Sequence, residues 1–168
     1  MRQVHTFPPV FDRSSEILIL GSFPSVRSRS EGFFYGHPQN RFWPLLAGLF
    51  KTPVPKTADE KREFLLAFHI ALWDVIESCE ITGSGDGTIR DVVPNDLSPI
   101  FSTAAINAVF ANGRTAEKLY KKFMLPIFGR SIIRLPSTSP ANAAFSVSKL
   151  ASEWETITGY IRNVHTER

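Results

Sequence analysis

Asn40 stands three residues after His37 and five after the aromatic run Phe33-Phe34-Tyr35, in the stretch FFYGHPQNRFW. A carboxamide is a poor base. If Asn40 holds and polarises a water, it serves only a reaction whose transition state needs little nucleophilic push. Departure of a base from a deoxyribose, through an oxocarbenium-like state, is such a reaction. The same residue also stands where a helix begins, so an N-cap is the competing reading. His37 and Asp86, the latter in GSGDGT, are the groups that would assist the water. Asp in a Gly-rich turn also serves the turn itself. Asp74, inside ALWDV, is a further acidic candidate, and its place within a strand favours a structural hydrogen-bonding role.

Two other stretches carry binding groups. Phe23, Phe33, Phe34 and Tyr35 give one loop more aromatic surface than its size needs. Some of these rings belong to the core, and Tyr35 is the best exposed candidate to stack on an extruded base. In LPSTSPANA, three consecutive hydroxyl residues lie between prolines, with small residues after them. Such a loop is stiff and narrow, able to clamp phosphate oxygens and enter a groove; a plain Ser/Pro turn closing a strand is the alternative. The four histidines, at 5, 37, 69 and 165, have no metal-ligand spacing. GSGDG lacks the ending of a nucleotide-hydrolase phosphate loop.

Hydrophobic residues make up 43% of the chain and charged ones 21%, the balance of a globular protein. A formal net charge of +3 is compatible with a nucleic-acid partner without requiring one. The single cysteine, Cys79, excludes an intramolecular disulfide and a cysteine-based metal centre within one chain. No run approaches the length of a membrane span, and the N-terminus has no signal-like apolar segment, so the expected location is the cytoplasm.

The elements that must position these groups alternate. Glu16 to Leu20 reads as a buried strand ended by Gly21, followed by a loop over 22–39 and a helix over 40–50 with Pro44 in its first turn. Thr57 to Glu60 opens a helix running to about Phe68 as a capping box would. Further strands are predicted over 70–76, 105–111 and 131–135. Helices are predicted over 97–102, 114–123 and 148–164, the last from apolar positions Leu150, Trp154, Ile157 and Ile161. Residues 77–91 read as a Gly-rich loop with a polar continuation, 1–15 as an extended lead-in and 165–168 as a tail. Alternation of this kind predicts one domain: a small parallel sheet covered by helices on both faces. The loops 21–40, 77–91, 112–114 and 136–143 then meet at one sheet edge, where such proteins bind ligands.

GSFPS after the first strand, FFYGHPQNRFW after it and LPSTSPANA after the fourth, in that order, resemble the uracil-DNA glycosylase superfamily. More narrowly they resemble its hypoxanthine-DNA glycosylase (DNA-deoxyinosine glycosylase) branch, over about residues 15 to 163. The resemblance implies a three-layer α/β/α sandwich with a central four-stranded parallel sheet in a single domain. It also implies excision of a flipped, deaminated base, leaving an abasic site. In the mismatch-specific uracil enzymes a Gly-x-Asn-Pro motif positions the water; here that stretch is Gly21-Ser22-Phe23-Pro24, without the Asn. In the hypoxanthine branch the critical Asn is the one in HPxN, which falls on Asn40.

The resemblance matches Tyr35 to the aromatic that stacks on the flipped base and residues 137–143 to the loop that pinches the backbone. The expected site then has base binding at Gly21, Ser22, Phe23, Tyr35 and Asn112, and DNA contacts at Ser25, Arg29, Ser137, Thr138, Ser139, Ala141 and Asn142. No lysine falls in the motif positions, which implies a monofunctional enzyme without strand cleavage. No metal and no cofactor are expected. The expected partner is duplex DNA, with single-stranded DNA as a second form, bound by a monomer. A uracil or xanthine specificity, a non-catalytic DNA-damage-binding module and a nucleoside hydrolase are the alternative readings.

Overall fold

The computed structural model describes residues 2–83 and 86–162, and of Asp86 the backbone only. Its strands are β1 (Arg2–Val4), β2 (Ile17–Gly21), β3 (Ile70–Asp74), β4 (Ile76–Glu80), β5 (Arg90–Pro94), β6 (Ala108–Asn112) and β7 (Ile133–Leu135). The helices are α1 (Val26–Glu31), α2 (Phe42–Leu49), α3 (Ala58–Ala67), α4 (Ser98–Thr103), α5 (Arg114–Phe123), α6 (Leu125–Phe128) and α7 (Val147–Trp154). A 3₁₀ segment, Glu155–Tyr160, follows α7.

The apolar run ILIL of β2 has no polar alternation because both of its faces are covered. Ile17 and Ile19 point into one core and Leu18 and Leu20 into the other. Each such side chain, once buried, stabilises the fold by about 1.5–3 kcal/mol. On the first face, α2, α3 and α7 bring Phe42, Leu45, Leu46, Leu65, Leu150 and Trp154 against the sheet. On the second, Ile100 of α4, Tyr120 of α5 and Met124 pack with Ala71 and Val109. The sheet order is β3-β2-β6-β7, all parallel. The expected α/β/α sandwich with four parallel strands is therefore present, and α5 has the limits read from the sequence.

Local chemistry explains where the helices start. Thr57 accepts a hydrogen bond from the Glu60 N–H at 3.1 Å, and Glu60 Oε1 reaches back to the Thr57 N–H, completing the capping box. Ser25 caps α1 by accepting from the Ser28 N–H, so part of the expected 22–39 loop is a helical turn and a half.

The larger departure is a second sheet, antiparallel, of order β1-β4-β5. The predicted strand 70–76 is interrupted at Val75, where the chain leaves one sheet for the other. Val75 N–H donates to Gly21 O, and Val75 O accepts from Asn95 N–H. The stretch expected as a loop over 77–91 instead begins with β4 and ends in β5, and the lead-in supplies β1. Val10 bridges antiparallel to Leu72, and Phe7 is buried. The amphipathic helix expected to about residue 164 ends its α-helical part at Trp154, and its last two positions lie outside the described residues.

Cys79 sits on β4, fully buried, and burial pushes its thiol up from the ordinary value. Native protein at pH 8 should therefore label with a thiol reagent only as fast as the second sheet opens, and urea should release the reaction. Labelling at the rate of a free cysteine would contradict the β1-β4-β5 sheet.

Candidate active site

The carboxyl ends of β2, β3 and β6 and the loop after β7 surround a cavity of about 190 Å³. That is below the roughly 300–1,000 Å³ of sites for drug-sized ligands and is enough for one planar ring system. Gly21, Ser22, Phe23, Pro24 and Ser25 form one wall; Ser137, Thr138, Ser139 and Ala141 form the facing one. Phe34, Tyr35, Asn40, Asp74 and Asn112 close it. Gly21 is the floor: a Cβ there would lie 2.4 Å from Asp74 Oδ1 and 2.8 Å from the Tyr35 hydroxyl, so only glycine fits.

The aromatic loop divides as its composition suggested. Phe33 and Phe34 are core, and the Phe34 carbonyl accepts from Trp43 Nε1 at 3.1 Å. Tyr35 lines the cavity instead. Its φ of 54° is uncommon for a residue with a Cβ. The ring is held there by stacking on Phe42, with centroids 4.1 Å apart and planes at 23°.

Asn40 is oriented without ambiguity by unambiguous donors and acceptors. The Phe42 N–H donates to Asn40 Oδ1 at 2.9 Å, which fixes which end of the amide is oxygen. Independently, the Thr138 N–H donates to Asn112 Oδ1 at 3.0 Å, so Asn112 Nδ2 is the donor to Thr138 Oγ1, also at 3.0 Å. The Thr138 hydroxyl proton is then directed to Asn40 Oδ1, 2.9 Å away. Both lone pairs of that oxygen are occupied. Asn40 Nδ2 makes no hydrogen bond with a described residue and is left for whatever enters the cavity. Asn40 stands one residue before the N-cap of α2, which is Arg41; its Oδ1 nevertheless accepts the N–H of Phe42, the first helical residue, and the residue lines the cavity.

Arg41 was not among the residues singled out from the sequence, yet it organises the facing wall. Its N–H and Nε donate to Thr138 O, at 3.1 and 3.4 Å. Nη2 donates to Ser139 O at 2.8 Å and to Asn142 O at 3.0 Å, and Nη1 donates to Phe145 O. Trp154 Nε1 takes Pro136 O at 2.9 Å, and Asn142 Nδ2 takes Ser137 O at 3.0 Å. The loop's carbonyls are thus turned inward onto side-chain donors. Ser137 Oγ and Ser139 Oγ each accept a loop N–H, from Ser139 and Ala141, and keep their own protons to donate outward.

Some residues expected at the site lie elsewhere. His37 is not part of the cavity wall; its Nδ1 accepts from the Gln39 N–H at 3.1 Å. Arg29 lies with its guanidinium carbon 5.3 Å from the Phe23 ring centroid and donates to Gly83 O at 2.9 Å. It braces the back of that wall. Asn142 lines a neighbouring groove beyond the loop, with Arg114 and Arg134. The Asp86 side chain is outside the described residues. The 77–91 segment, expected at the site, contributes nothing to the cavity wall among the described residues; β3 supplies Asp74 in its place. Asp74 is 3% exposed, and its Oδ2 pairs with His5 Nε2 at 2.8 Å. No group of His, Cys, Asp and Glu able to hold a metal ion is found among the described residues.

The cavity thus opens between a Gly-Ser-Phe-Pro loop and a Ser/Pro loop at the carboxyl edge of the parallel sheet. The model of the Uracil DNA glycosylase superfamily matches residues 8–158. A Hypoxanthine DNA glycosylase of Methanosarcina acetivorans is 37% identical over 153 residues, covering 90% of this chain and 95% of the relative. A protein of the same name from Methanosarcina barkeri is 37% identical over 150 residues, 88% and 93% of the two chains. The solution NMR structure of a Methanosarcina acetivorans protein assigned as a uracil DNA glycosylase superposes with a TM-score of 0.80 over the whole of both chains, at 34% identity. The chain belongs to the uracil-DNA glycosylase superfamily.

If Arg41 sets the wall, Arg41→Met should at once leave the carbonyls of Ser139, Asn142 and Phe145 without their Arg41 donor, while Thr138 O keeps the backbone N–H of residue 41. Hydrogen bonds to a charged group contribute roughly 1.5–3 kcal/mol each when buried. The variant should unfold at lower urea and bind duplex DNA at least tenfold more weakly. Unchanged duplex affinity in a folded variant would show that the loop holds its shape without Arg41.

Proposed function

We propose that the protein excises hypoxanthine from deoxyinosine in duplex DNA, as a monomer, by hydrolysis of the N-glycosidic bond. The observation that carries this reading is the fixed carboxamide of Asn40 at the edge of a cavity the size of one base. Membership of the superfamily and the relatives named hypoxanthine DNA glycosylase support the chemistry and the substrate.

In this reading, Ser25, Ser137 and Ser139 grip phosphates on either side of the lesion, and the deaminated base leaves the stack. Extrusion costs a few kcal/mol and is cheapest for a mispaired base, which contributes to selectivity. The purine enters beside Tyr35 and Phe23, above Gly21. The backbone around Ser22 and Phe23 meets the edge of the base that gains negative charge as the bond to C1′ lengthens.

Asn40 acts as a positioning donor. With both lone pairs of Oδ1 engaged, its Nδ2–H holds the oxygen of the water and leaves a water lone pair for C1′. An amide so committed takes no proton. The reaction therefore runs through a dissociative transition state: the C1′–N9 bond breaks with its electron pair going to the purine. Water oxygen then bonds to C1′, and its proton passes to the departing base or to solvent. The cavity-lining residues include no lysine, which supports hydrolysis to an intact abasic site over imine formation and strand cleavage.

Duplexes with a single deoxyinosine, deoxyuridine or deoxyxanthosine test this directly, under single turnover and with alkali to reveal abasic sites. Wild type should act on deoxyinosine, and Asn40→Ala should lose about 100-fold or more of that rate while binding the duplex. Strand breaks without alkali would contradict the monofunctional chemistry. Action on deoxyuridine alone would replace hypoxanthine by uracil as the substrate.

A further inference from the structure

Asp74 takes no part in the chemistry above, yet it is a buried carboxylate in the cavity wall. One of its oxygens is committed: Oδ2 accepts from His5 Nε2 at 2.8 Å, with both side chains almost wholly buried. The other, Oδ1, lies over the Gly21 floor, where a Cβ would meet it at 2.4 Å. Backbone carries the residue too, since Asp74 O accepts from Asn95 Nδ2 at 2.9 Å. The side chain is thus held by His5 and the backbone by Asn95, while Oδ1 has no hydrogen-bond partner among the described residues and the residue lines the cavity.

His5 reaches this position from the edge of β1, through a nest of rings. Phe7, Phe34, Phe23 and Trp73 have centroids 4.5, 6.0, 6.2 and 6.3 Å from its own. Its Nδ1 is buried with no hydrogen-bond partner among the described residues. An apolar ring would fill the nest without that orphaned nitrogen, so packing does not account for a histidine here. The ring's one hydrogen bond among the described residues is the one to Asp74.

We propose that the His5–Asp74 pair makes the pocket specific for a base carrying a ring N–H: Asp74 Oδ1 accepts the N1–H of hypoxanthine, and His5 is the positioning residue that aims it. An ionised carboxylate is acceptor-only. Deamination of adenine converts N1 from an acceptor into a donor, so the same oxygen attracts hypoxanthine and repels adenine. A site built around a hydrogen bond rejects the analogue that lacks the matching group strongly, because its own buried polar atom is left unpaired. Guanine shares the N1–H, so this contact sorts hypoxanthine from adenine and leaves guanine to be rejected at its amino group. The inference rests on the hypoxanthine reading of the same cavity.

The test uses the full chain and single-turnover excision from duplexes carrying deoxyinosine, deoxyadenosine or 1-methyldeoxyinosine. Wild type should excise 1-methylhypoxanthine about 100-fold more slowly than hypoxanthine, the size expected for losing a hydrogen bond to a charged group. Asp74→Asn should lose a similar factor on deoxyinosine and shrink its preference over deoxyadenosine, because His5 would hold the amide oxygen and turn the amide nitrogen toward the base. His5→Phe should lower that preference, and His5→Gln should restore part of it. Wild type that excises both inosine bases equally, or Asp74→Asn with an unchanged preference, would overturn the inference while leaving the hypoxanthine reading intact. A His5→Phe variant that loses only thermal stability would overturn the role of His5. Wild type inactive on deoxyinosine would overturn the substrate reading and this inference with it.

Discussion

The guanidinium of Arg41 is the interaction on which the rest of the site depends. It gathers the carbonyls of Thr138, Ser139, Asn142 and Phe145, about a hundred residues away in sequence, onto the start of α2. A loop of Ser, Thr, Pro and Ala has no apolar side chains large enough to fold itself. Without an internal donor its carbonyls would turn to water and its shape would be lost. Arg41 turns the loop's carbonyls inward and leaves the hydroxyl protons of Ser137 and Ser139 uncommitted to the loop's own backbone. The same residue follows Asn40, so one side chain ties the loop after β7 to the residue whose amide lines the cavity.

The second constraint is the polar relay Asn112–Thr138–Asn40–Phe42. Each link is fixed by a backbone N–H or by the link before it, which removes the usual freedom of an amide to turn over. It joins the end of β6, the loop after β7 and the entry to α2. At its centre Thr138, with no exposed surface, has its N–H and hydroxyl both engaged, as a buried polar group requires. The relay gives the amide a defined polarity at the cavity wall, which a capping Asn on an isolated helix would lack.

Much of this was legible in the chain. The fully apolar run of β2, the capping box at Thr57 and Glu60, and the Arg114–Phe123 helix were all readable from local pattern, and with them the order of layers. The antiparallel sheet was not. Its β4 strand reads IESCE and leads into a Gly-rich stretch, and its β5 strand is mostly exposed with irregular register, so neither carries a periodic signal. The loop residues that form the cavity were visible as motifs at strand ends, although LPSTSPANA by itself reads as readily as a Ser/Pro turn. Arg41 and His5 were not visible as partners. What makes each of them matter is a contact across 69 or more residues, and nothing in their neighbours announces it.

The most direct measurement is a crystal structure of the wild-type protein on a duplex carrying 2′-fluoro-deoxyinosine, whose fluorine slows loss of the base. The account predicts hypoxanthine inside the cavity over Gly21, with Asn40 Nδ2 directed at a water on the C1′ side and Oδ1 still bound to Phe42 N–H and the Thr138 hydroxyl. A base stacked in the duplex or seated outside the cavity, or an Asn40 turned to offer its oxygen to the water, would contradict it.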